Sequence, residues 1–243
     1  EYTVVNKSLV WGTKFSRTLF GFRDISGDIN INLTPEFSSR LGSAFGSVLK
    51  EGSKVIVCSD GSSSAEIIKE SITSGILSTG NEIIDIKNSL MPVVRYAVNF
   101  YKAEGGVYIW KDYSDDNKVH IEIVNSIGIN IDRGVERKIE NIFARGDFKR
   151  CNADRIKGIV RKSDFADYYI QYGINMLSNQ KRIKDSRIKL MVGSCSEQVM
   201  EVASSYLNRL GCIVELDNLT SKYSTTCEKI SHNSYCRRIA EHT

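Results

Sequence analysis

Four residues near the end of the chain are of the types that bind zinc: Cys227, His232, Cys236 and His242. Structural zinc sites commonly begin with two cysteines that are separated by about two to four residues. Cys227 and Cys236 are too far apart to form such a pair. The spacing therefore favours unrelated, reduced side chains, and we predict no metal site here.

Reactive side chains also follow the apolar segment 106–109, where Asp112 and Ser114 lie in an acidic stretch. A carboxylate accepts a phosphoryl group in some ATPases, and a serine hydroxyl is a common nucleophile. An aspartyl phosphate would also need bound Mg²⁺, for which the segment offers no recognisable ligand pattern. Asp115 and Asp116 add charge that repels phosphate. A solvated acidic turn remains the simpler interpretation.

The elements around this stretch alternate between strand and helix. A helix is predicted to begin at Thr34, a suitable N-cap followed by proline, and another at Ser63, which with Glu66 has the pattern of a capping box. Segment 119–124 alternates apolar and polar residues, which predicts an exposed or edge strand with His120 facing outward. A buried strand is predicted at 55–58, two more strands at 83–86 and 106–109, and further helices at 92–101 and 133–143.

This alternation predicts a three-layer α/β/α domain with a mostly parallel sheet over about residues 20–145. A smaller strand–helix–strand unit is predicted after it. Its helices are expected at 164–177 and 197–210, and its strands at 188–192 and 212–216.

Composition restricts the function classes. The 243 residues carry a net charge of +4 without a dense basic stripe, so we expect no nucleic-acid partner. No apolar run is long enough to cross a membrane. The six cysteines are too widely spaced for a disulfide framework, which indicates a reducing compartment and hence the cytoplasm.

The order of several short motifs resembles that of the α-D-phosphohexomutases, the family of phosphomannomutases and phosphoglucomutases. The motifs extend over about 200 residues of the chain. They are Phe20-Gly21 with Gly27, LTPEF at 33–37, SGILSTG at 74–80, PVVRYAV at 92–98, GGVYI at 105–109, Asn125-Ser126 with Gly128, and Leu207 with Arg209-Leu210-Gly211.

The resemblance is greatest to one branch, in which a mannose-1-phosphate guanylyltransferase-type domain and a left-handed β-helix precede a mutase-like region. Residues 11–20 resemble the junction in that branch, and the chain begins at Glu1, so we expect it to be a piece of a longer protein with those domains as partners. The resemblance implies a junction over 1–18 and a first phosphohexomutase-like domain over 19–150. It implies a linker helix with a partial or divergent second domain over 151–243.

Active members of the family carry a phosphorylated serine in a T-A-S-H-N-P motif after the strand that ends here at Ile109. The resemblance places that serine at Asp112, with Ser114 as a shifted alternative. The resemblance places the family's cationic side chains at Ser26, Ser62 and Glu122, which are not basic. Glu122 stands for the lysine of the family's N-G-x-K motif, and His120 stands where that motif has glycine. Lys111 and Arg23 remain as candidate substrate-binding residues. The family's magnesium loop would lie beyond Thr243, so we expect no cofactor in this segment, and Mg²⁺ only if mutase activity is retained.

Three functions follow from this comparison. The first is an inactive module of a sugar-nucleotide enzyme that acts in regulation, phosphosugar sensing or assembly, with weak phosphosugar binding. The second is an active phosphomannomutase or phosphoglucomutase with an unusual loop. The third is a structural interaction domain without a ligand.

Overall fold

The computed structural model of the chain describes residues 18–22, 24–194 and 196–218. Residues 11–17 of the junction motif, the candidate residue Arg23 and the four cysteines and histidines near the end therefore lie outside the described residues. The described chain divides into two compact units. One runs to Asp112 and resumes over Asn117–Phe165, and the other contains Tyr113–Asp116 and the chain from Ala166.

A six-stranded sheet forms the centre of the first unit. Strand β5 is antiparallel to both of its neighbours, β1 and β4, whereas β4, β2, β3 and β6 are mutually parallel. The mostly parallel α/β fold is thus confirmed. The strands, in the order β1-β5-β4-β2-β3-β6, are β1 (Ile25–Asp28), β5 (Lys118–Asn125), β4 (Gly105–Lys111), β2 (Lys54–Ser59), β3 (Glu82–Asn88) and β6 (Ile159–Arg161).

Helices cover both faces of this sheet. They are α1 (Pro35–Val48), α2 (Ser63–Leu77), α3 (Met91–Tyr101) and α4 (Arg133–Arg145). Two neighbouring glycines of β4 show the two sides: a Cβ on Gly105 would lie 3.0 Å from the Phe45 ring of α1, and one on Gly106 would lie 3.0 Å from Val98 of α3. Because successive residues of a strand point to opposite faces, α1 and α3 belong to opposite layers.

Helices α1 and α2 approach each other closely at two glycines. A Cβ on Gly42 would lie 2.2 Å from the carbonyl oxygen of Ile72, and one on Gly75 would lie 2.1 Å from that of Ser39. Any larger residue at either position would force the helices apart. Gly75 belongs to SGILSTG, one of the motifs that carry the family resemblance.

The predicted N-cap of α1 is confirmed, whereas the N-cap of α2 is Ser62 and not the first residue of the predicted capping box, Ser63. The Thr34 hydroxyl accepts a hydrogen bond from the Phe37 N–H at 3.2 Å. At α2, Ser62 is the N-cap, and its hydroxyl accepts from the Ala65 N–H at 3.4 Å. Ser63 is already helical, because Ser62 also bonds to the preceding Asp60 and so fixes the turn one residue earlier.

The prediction that segment 119–124 is an exposed or edge strand is wrong. β1 pairs along its outer side, so β5 is an interior strand with buried residues on both faces. The short strand β1, with the sequence ISGD, has weak strand propensity and no recognisable alternation. Its pairing with β5 comes from tertiary structure, which the local sequence does not encode.

In the second unit, β7 (Lys189–Ser194) and β8 (Ile213–Asn218) form a parallel pair. Its helices are α5 (Phe165–Asn175, whose first residue belongs to the first unit), α6 (Gln180–Ser186) and α7 (Glu197–Arg209). A small core contains Ile170, Ile174, Leu210 and Cys212. Across the part of the chain that the structure describes, no helix combines the length and the apolar character needed to span a bilayer.

Candidate functional site

The stretch of reactive side chains lies at the turn between β4 and β5. Trp110 and Lys111 belong to β4, so the turn proper begins at Asp112 rather than at Trp110. The Asp112 N–H donates to the Lys118 carbonyl at 2.9 Å and closes the base of the turn. Ser114 follows in the turn itself, where its side chain is exposed. The turn follows the carboxyl end of β4, where open parallel sheets usually hold their ligands.

His120 joins Asp112 to a distant part of the chain. The Nε2 atom of His120 lies 3.1 Å from Oδ2 of Asp112, and its Nδ1 atom is hydrogen-bonded to Oδ2 of Asp24. Asp24 directly precedes β1. The three side chains therefore tie the segment before β1, the middle of the sheet and the base of the turn into one polar chain.

The prediction that His120 is a surface residue facing outward is wrong. Only 9% of the surface of His120 is exposed to solvent. In the sheet it lies between Ser26 of β1 and Trp110 of β4. Its ring stacks on the Trp110 indole, with centroids 4.0 Å apart and planes 7° from parallel. Because β1 covers β5, a position that would be open on an edge strand is enclosed here.

The surroundings of His120 favour its protonated form. Burial by itself would lower the pKa of His120, but hydrogen bonds to the carboxylates of Asp24 and Asp112 raise it, and the balance leaves the pKa above 6.5. An imidazolium between two carboxylates carries one positive charge against two negative ones. The three side chains by themselves therefore carry a net negative charge.

Another carboxylate, that of Asp60, fixes the end of β4 by accepting hydrogen bonds from neutral donors. It follows β2, and its Oδ2 accepts from the Lys111 N–H at 2.8 Å. Its Oδ1 accepts from the Ser62 N–H at 2.9 Å and the Ser62 hydroxyl at 2.7 Å. Asp60 is 9% exposed. It thus links the ends of β2 and β4 to the start of α2.

The three positions where the resemblance places family cations have other roles in this structure. Ser26 is paired with His120 across β1 and β5. Ser62 caps α2, as described above. Glu122 lies two residues beyond His120 on the same face, and its Oε1 accepts from the Trp110 indole N–H at 3.2 Å. None of these side chains can supply positive charge to a phosphoryl group.

Of the candidate residues named from the sequence, the structure places Lys111 and Asp112 side by side at the end of β4, with Ser114 two residues further along. Sequence reasoning missed the roles of His120 and Asp24. The only sequence signal for His120 is its position where the related motif has glycine. The sequence gives no signal for Asp24. Among the described residues, no group of three or more histidines, cysteines, aspartates or glutamates has an arrangement that could hold a metal ion.

Comparison with known proteins places this geometry in a family. Residues 17–150 match the profile of the α/β/α domain I of phosphoglucomutase/phosphomannomutase. A phosphoglucomutase/phosphomannomutase from Thermococcus kodakarensis is 32% identical over 200 residues, which cover 81% of this chain and 43% of that protein. A Pyrococcus furiosus protein with the name "probable phosphoglucosamine mutase" is 33% identical over 159 residues, which cover 65% of this chain and 35% of that protein.

Solved structures agree at the level of the fold. A phosphoglucomutase/phosphomannomutase family protein from Burkholderia thailandensis superposes with a TM-score of 0.67 at 18% identity, over 80% of this chain and 42% of that one. The exocytosis-sensitive phosphoprotein parafusin from Paramecium superposes with a TM-score of 0.59 at 10% identity, over 82% of this chain and 42% of that one. The chain thus spans less than half the length of these relatives, and it belongs to the phosphoglucomutase/phosphomannomutase family through its α/β/α domain I.

Proposed function

We propose that this chain is a phosphohexomutase-like module that has lost mutase turnover and acts as a regulatory or phosphosugar-sensing part of a carbohydrate-metabolism protein. One observation carries the proposal: the residue at the family's phosphoserine position, Asp112, is a carboxylate hydrogen-bonded to His120, which also binds Asp24. A mutase needs a hydroxyl there that can accept and return a phosphoryl group.

The charges around this position support loss of turnover. Phosphoryl transfer depends on cations that stabilise the developing negative charge. Ser26, Ser62 and Glu122 stand where the resemblance places those cations, and Glu122 adds a carboxylate. Losing one such group costs roughly 10²–10³ in rate, and several losses together remove useful activity.

The identities of the relatives favour a second candidate, an active phosphomannomutase or phosphoglucomutase. Two of them, 32% and 33% identical to this chain, carry mutase names. In that case Ser114 or Asp112 would be the nucleophile, Lys111 and Arg23 would contact the phosphosugar, and Mg²⁺ would come from a part of the protein beyond this chain. This candidate requires chemistry at a position that is now acidic, so we rank it second.

The resemblance to the mannose-1-phosphate guanylyltransferase branch supports a larger context. We place the module after a nucleotidyltransferase domain and a β-helix in one parent chain. The free cysteines Cys58, Cys151 and Cys212 agree with a reducing, cytoplasmic setting. Sequencing the parent gene on both sides of this segment tests this part of the proposal directly.

A coupled assay of the complete parent protein tests the loss of turnover. With Mg²⁺, a hexose bisphosphate primer and mannose or glucose 1-phosphate, we expect a rate at least about 10⁴-fold below that of the Thermococcus relative measured in parallel. Asp112→Ser restores only the hydroxyl and should not restore activity, since the cations are still missing. Measurable turnover that disappears in Asp112→Ala or Ser114→Ala would instead establish the second candidate.

Calorimetric titration with mannose 1-phosphate separates a sensor from a purely structural domain. A sensor that lacks the cation clamp should bind the phosphosugar weakly, and a structural domain should not bind it. A dissociation constant near 1 μM, or about −8 kcal/mol, would mean that other residues rebuild the phosphate site.

A further inference from the structure

Both ring nitrogens of His120 face carboxylate oxygens, and this determines the protonation state of the ring. A neutral imidazole has one N–H donor and one nitrogen that only accepts. An ionised carboxylate has no proton to donate, so a neutral His120 could satisfy Asp24 or Asp112 but would repel the other. Only the imidazolium donates to both, and the observed contacts at Nδ1 and Nε2 therefore fit the protonated ring.

The stacked indole supports the same state. Trp110 covers one face of the His120 ring at a centroid distance of 4.0 Å. A cation over an aromatic face is attracted by the negative face of the ring, and most strongly by tryptophan. Loss of the proton would remove this attraction together with one of the two hydrogen bonds.

The charged neighbours of His120 come from three elements. Asp24 directly precedes β1 and Asp28 is its last residue, and Asp112 follows β4 on the other side of β5. Within β5 itself, Lys118 and Glu122 lie two residues before and after His120 on the same face. Of these groups, Asp24 and Asp112 contact the ring and raise the pKa of His120 against its burial, whereas Asp28 lies opposite Lys118 in the pairing of β1 with β5.

We infer that His120 is a proton-dependent latch, which fastens the base of the β4–β5 turn at Asp112 to the segment before β1 at Asp24 and releases it when the imidazolium is lost. The inference goes beyond the proposed function and does not depend on it, because an active or an inactive module would contain the same latch.

The direction of the pH effect follows from linkage. Hydrogen bonds to Asp24 and Asp112 outweigh burial and raise the pKa of His120. A group whose pKa is higher in the folded state stabilises the fold at pH values below its unfolded pKa, near 6.5. This contribution declines as the pH rises through the folded-state pKa. The latch is therefore closed in mildly acidic solution and opens toward alkaline pH.

Nitrogen NMR of the intact chain tests the latch on the native ring. The chain has three histidines, so the spectrum of His120→Gln identifies the His120 signals by their absence. We expect both ring nitrogens to carry protons at pH 6 and a titration midpoint above 6.5. Asp24→Asn and Asp112→Asn should each lower the midpoint. A neutral ring at pH 6, or a midpoint at or below 6.5, would overturn the latch.

Hydrogen exchange at Asp112 tests the mechanical part. Its amide closes the turn through the 2.9 Å bond to the Lys118 carbonyl. After correction for intrinsic exchange, its protection at pH 6 should fall by roughly an order of magnitude in His120→Gln, because the charge-assisted hydrogen bond to Asp112 is lost. Protection should also fall in the unmodified chain between pH 6 and pH 8.5.

Tryptophan fluorescence offers a third readout. The chain has two tryptophans, so Trp11→Phe leaves Trp110 as the sole indole. As the pH increases, the emission intensity of Trp110 should rise with the same midpoint as the NMR titration. It should not change with pH when His120→Gln is added. If the Asp112 amide were equally protected at pH 6 in His120→Gln and in the unmodified chain, His120 would not hold the turn. An unchanged pH titration of Trp110 emission in His120→Gln would show the same.

Discussion

Two adjacent rungs of the sheet near the β4–β5 turn are built very differently. On one rung Ile25, Ile121 and Ile109 lie side by side across β1, β5 and β4, and each is completely buried. On the next rung Ser26, His120 and Trp110 occupy the same three strands and point to the opposite face. One rung is entirely apolar, and the other contains a charged ring between two carboxylates.

The difference separates what the fold requires from what the site requires. The isoleucine rung joins the core formed with α1, α2 and α4, where apolar area removed from water stabilises the structure. A buried imidazolium gains no such benefit, and its ion pairs must first offset desolvation. A polar rung so close to the core is therefore better explained by a role at the β4–β5 turn than by stability.

Truncation on the apolar rung should have the largest effect. Ile121→Ala removes buried methyl groups and leaves a cavity, so we expect it to lower the free energy of unfolding by about 2–5 kcal/mol. Chemical denaturation at constant pH measures this loss. Ile127→Ala is the matched control, because Ile127 is 63% exposed, and its effect should stay within about 0.5 kcal/mol. Equal losses from the two variants would refute the contrast between core and surface on which the comparison rests.

A charge change on the polar rung should have a smaller effect that depends on pH. Asp112→Asn removes one of the two carboxylates that hold the His120 imidazolium, and the Asp112 side chain is 21% exposed. We expect a loss of about 1 kcal/mol at pH 6, since a hydrogen bond to a charged group is weakened by partial exposure to solvent. The loss should shrink as the pH rises through the raised pKa of His120, because the ring then loses its charge.

Denaturation at pH 6 and pH 8.5 measures this dependence. Asp147→Asn replaces an exposed aspartate of the same unit and should change stability equally, and only slightly, at both. A cost for Asp112→Asn that stays constant or grows between pH 6 and pH 8.5 would mean that the carboxylate acts without the His120 proton.

The same two rungs show which parts of the structure can be predicted from the sequence. Ile109 lies in an apolar run and Ile121 in a segment with clear alternation, and strands β2 to β5 are predictable for that reason, whereas Ile25 lies in β1, which has neither pattern. The polar rung depends on Asp24, which is 96 residues from His120 and becomes its neighbour only because β1 pairs with β5. No local pattern encodes that pairing, so His120 was predicted to face outward.

The sequence predicts where the β4–β5 turn lies, but it does not predict the hydrogen bonds and ion pairs that hold the turn. The family motifs located Asp112, Ser114 and Lys111 beside the carboxyl end of a strand, where the structure has them. The ion pair of Asp112 with His120 could not be predicted from the motifs, because His120 stands where the related motif has glycine. A histidine in place of glycine adds a side chain, and which group it contacts is decided by the tertiary fold.

The smallest effect should come from Glu122, which shares the polar face with His120 but bonds to a neutral donor. Its carboxylate accepts from the Trp110 indole N–H at 3.2 Å. Glu122→Gln keeps an oxygen acceptor and removes only the charge, so stability should change by less than about 0.5 kcal/mol at any pH. Glu122→Leu leaves the indole N–H without this acceptor and should cost about 1 kcal/mol. Thermal or chemical unfolding of both variants at pH 6 and pH 8.5 measures the two values. If Glu122→Gln instead lowered the midpoint of the His120 titration as strongly as Asp112→Asn does, the proton on His120 would be held by the whole acidic face and not by its two direct partners.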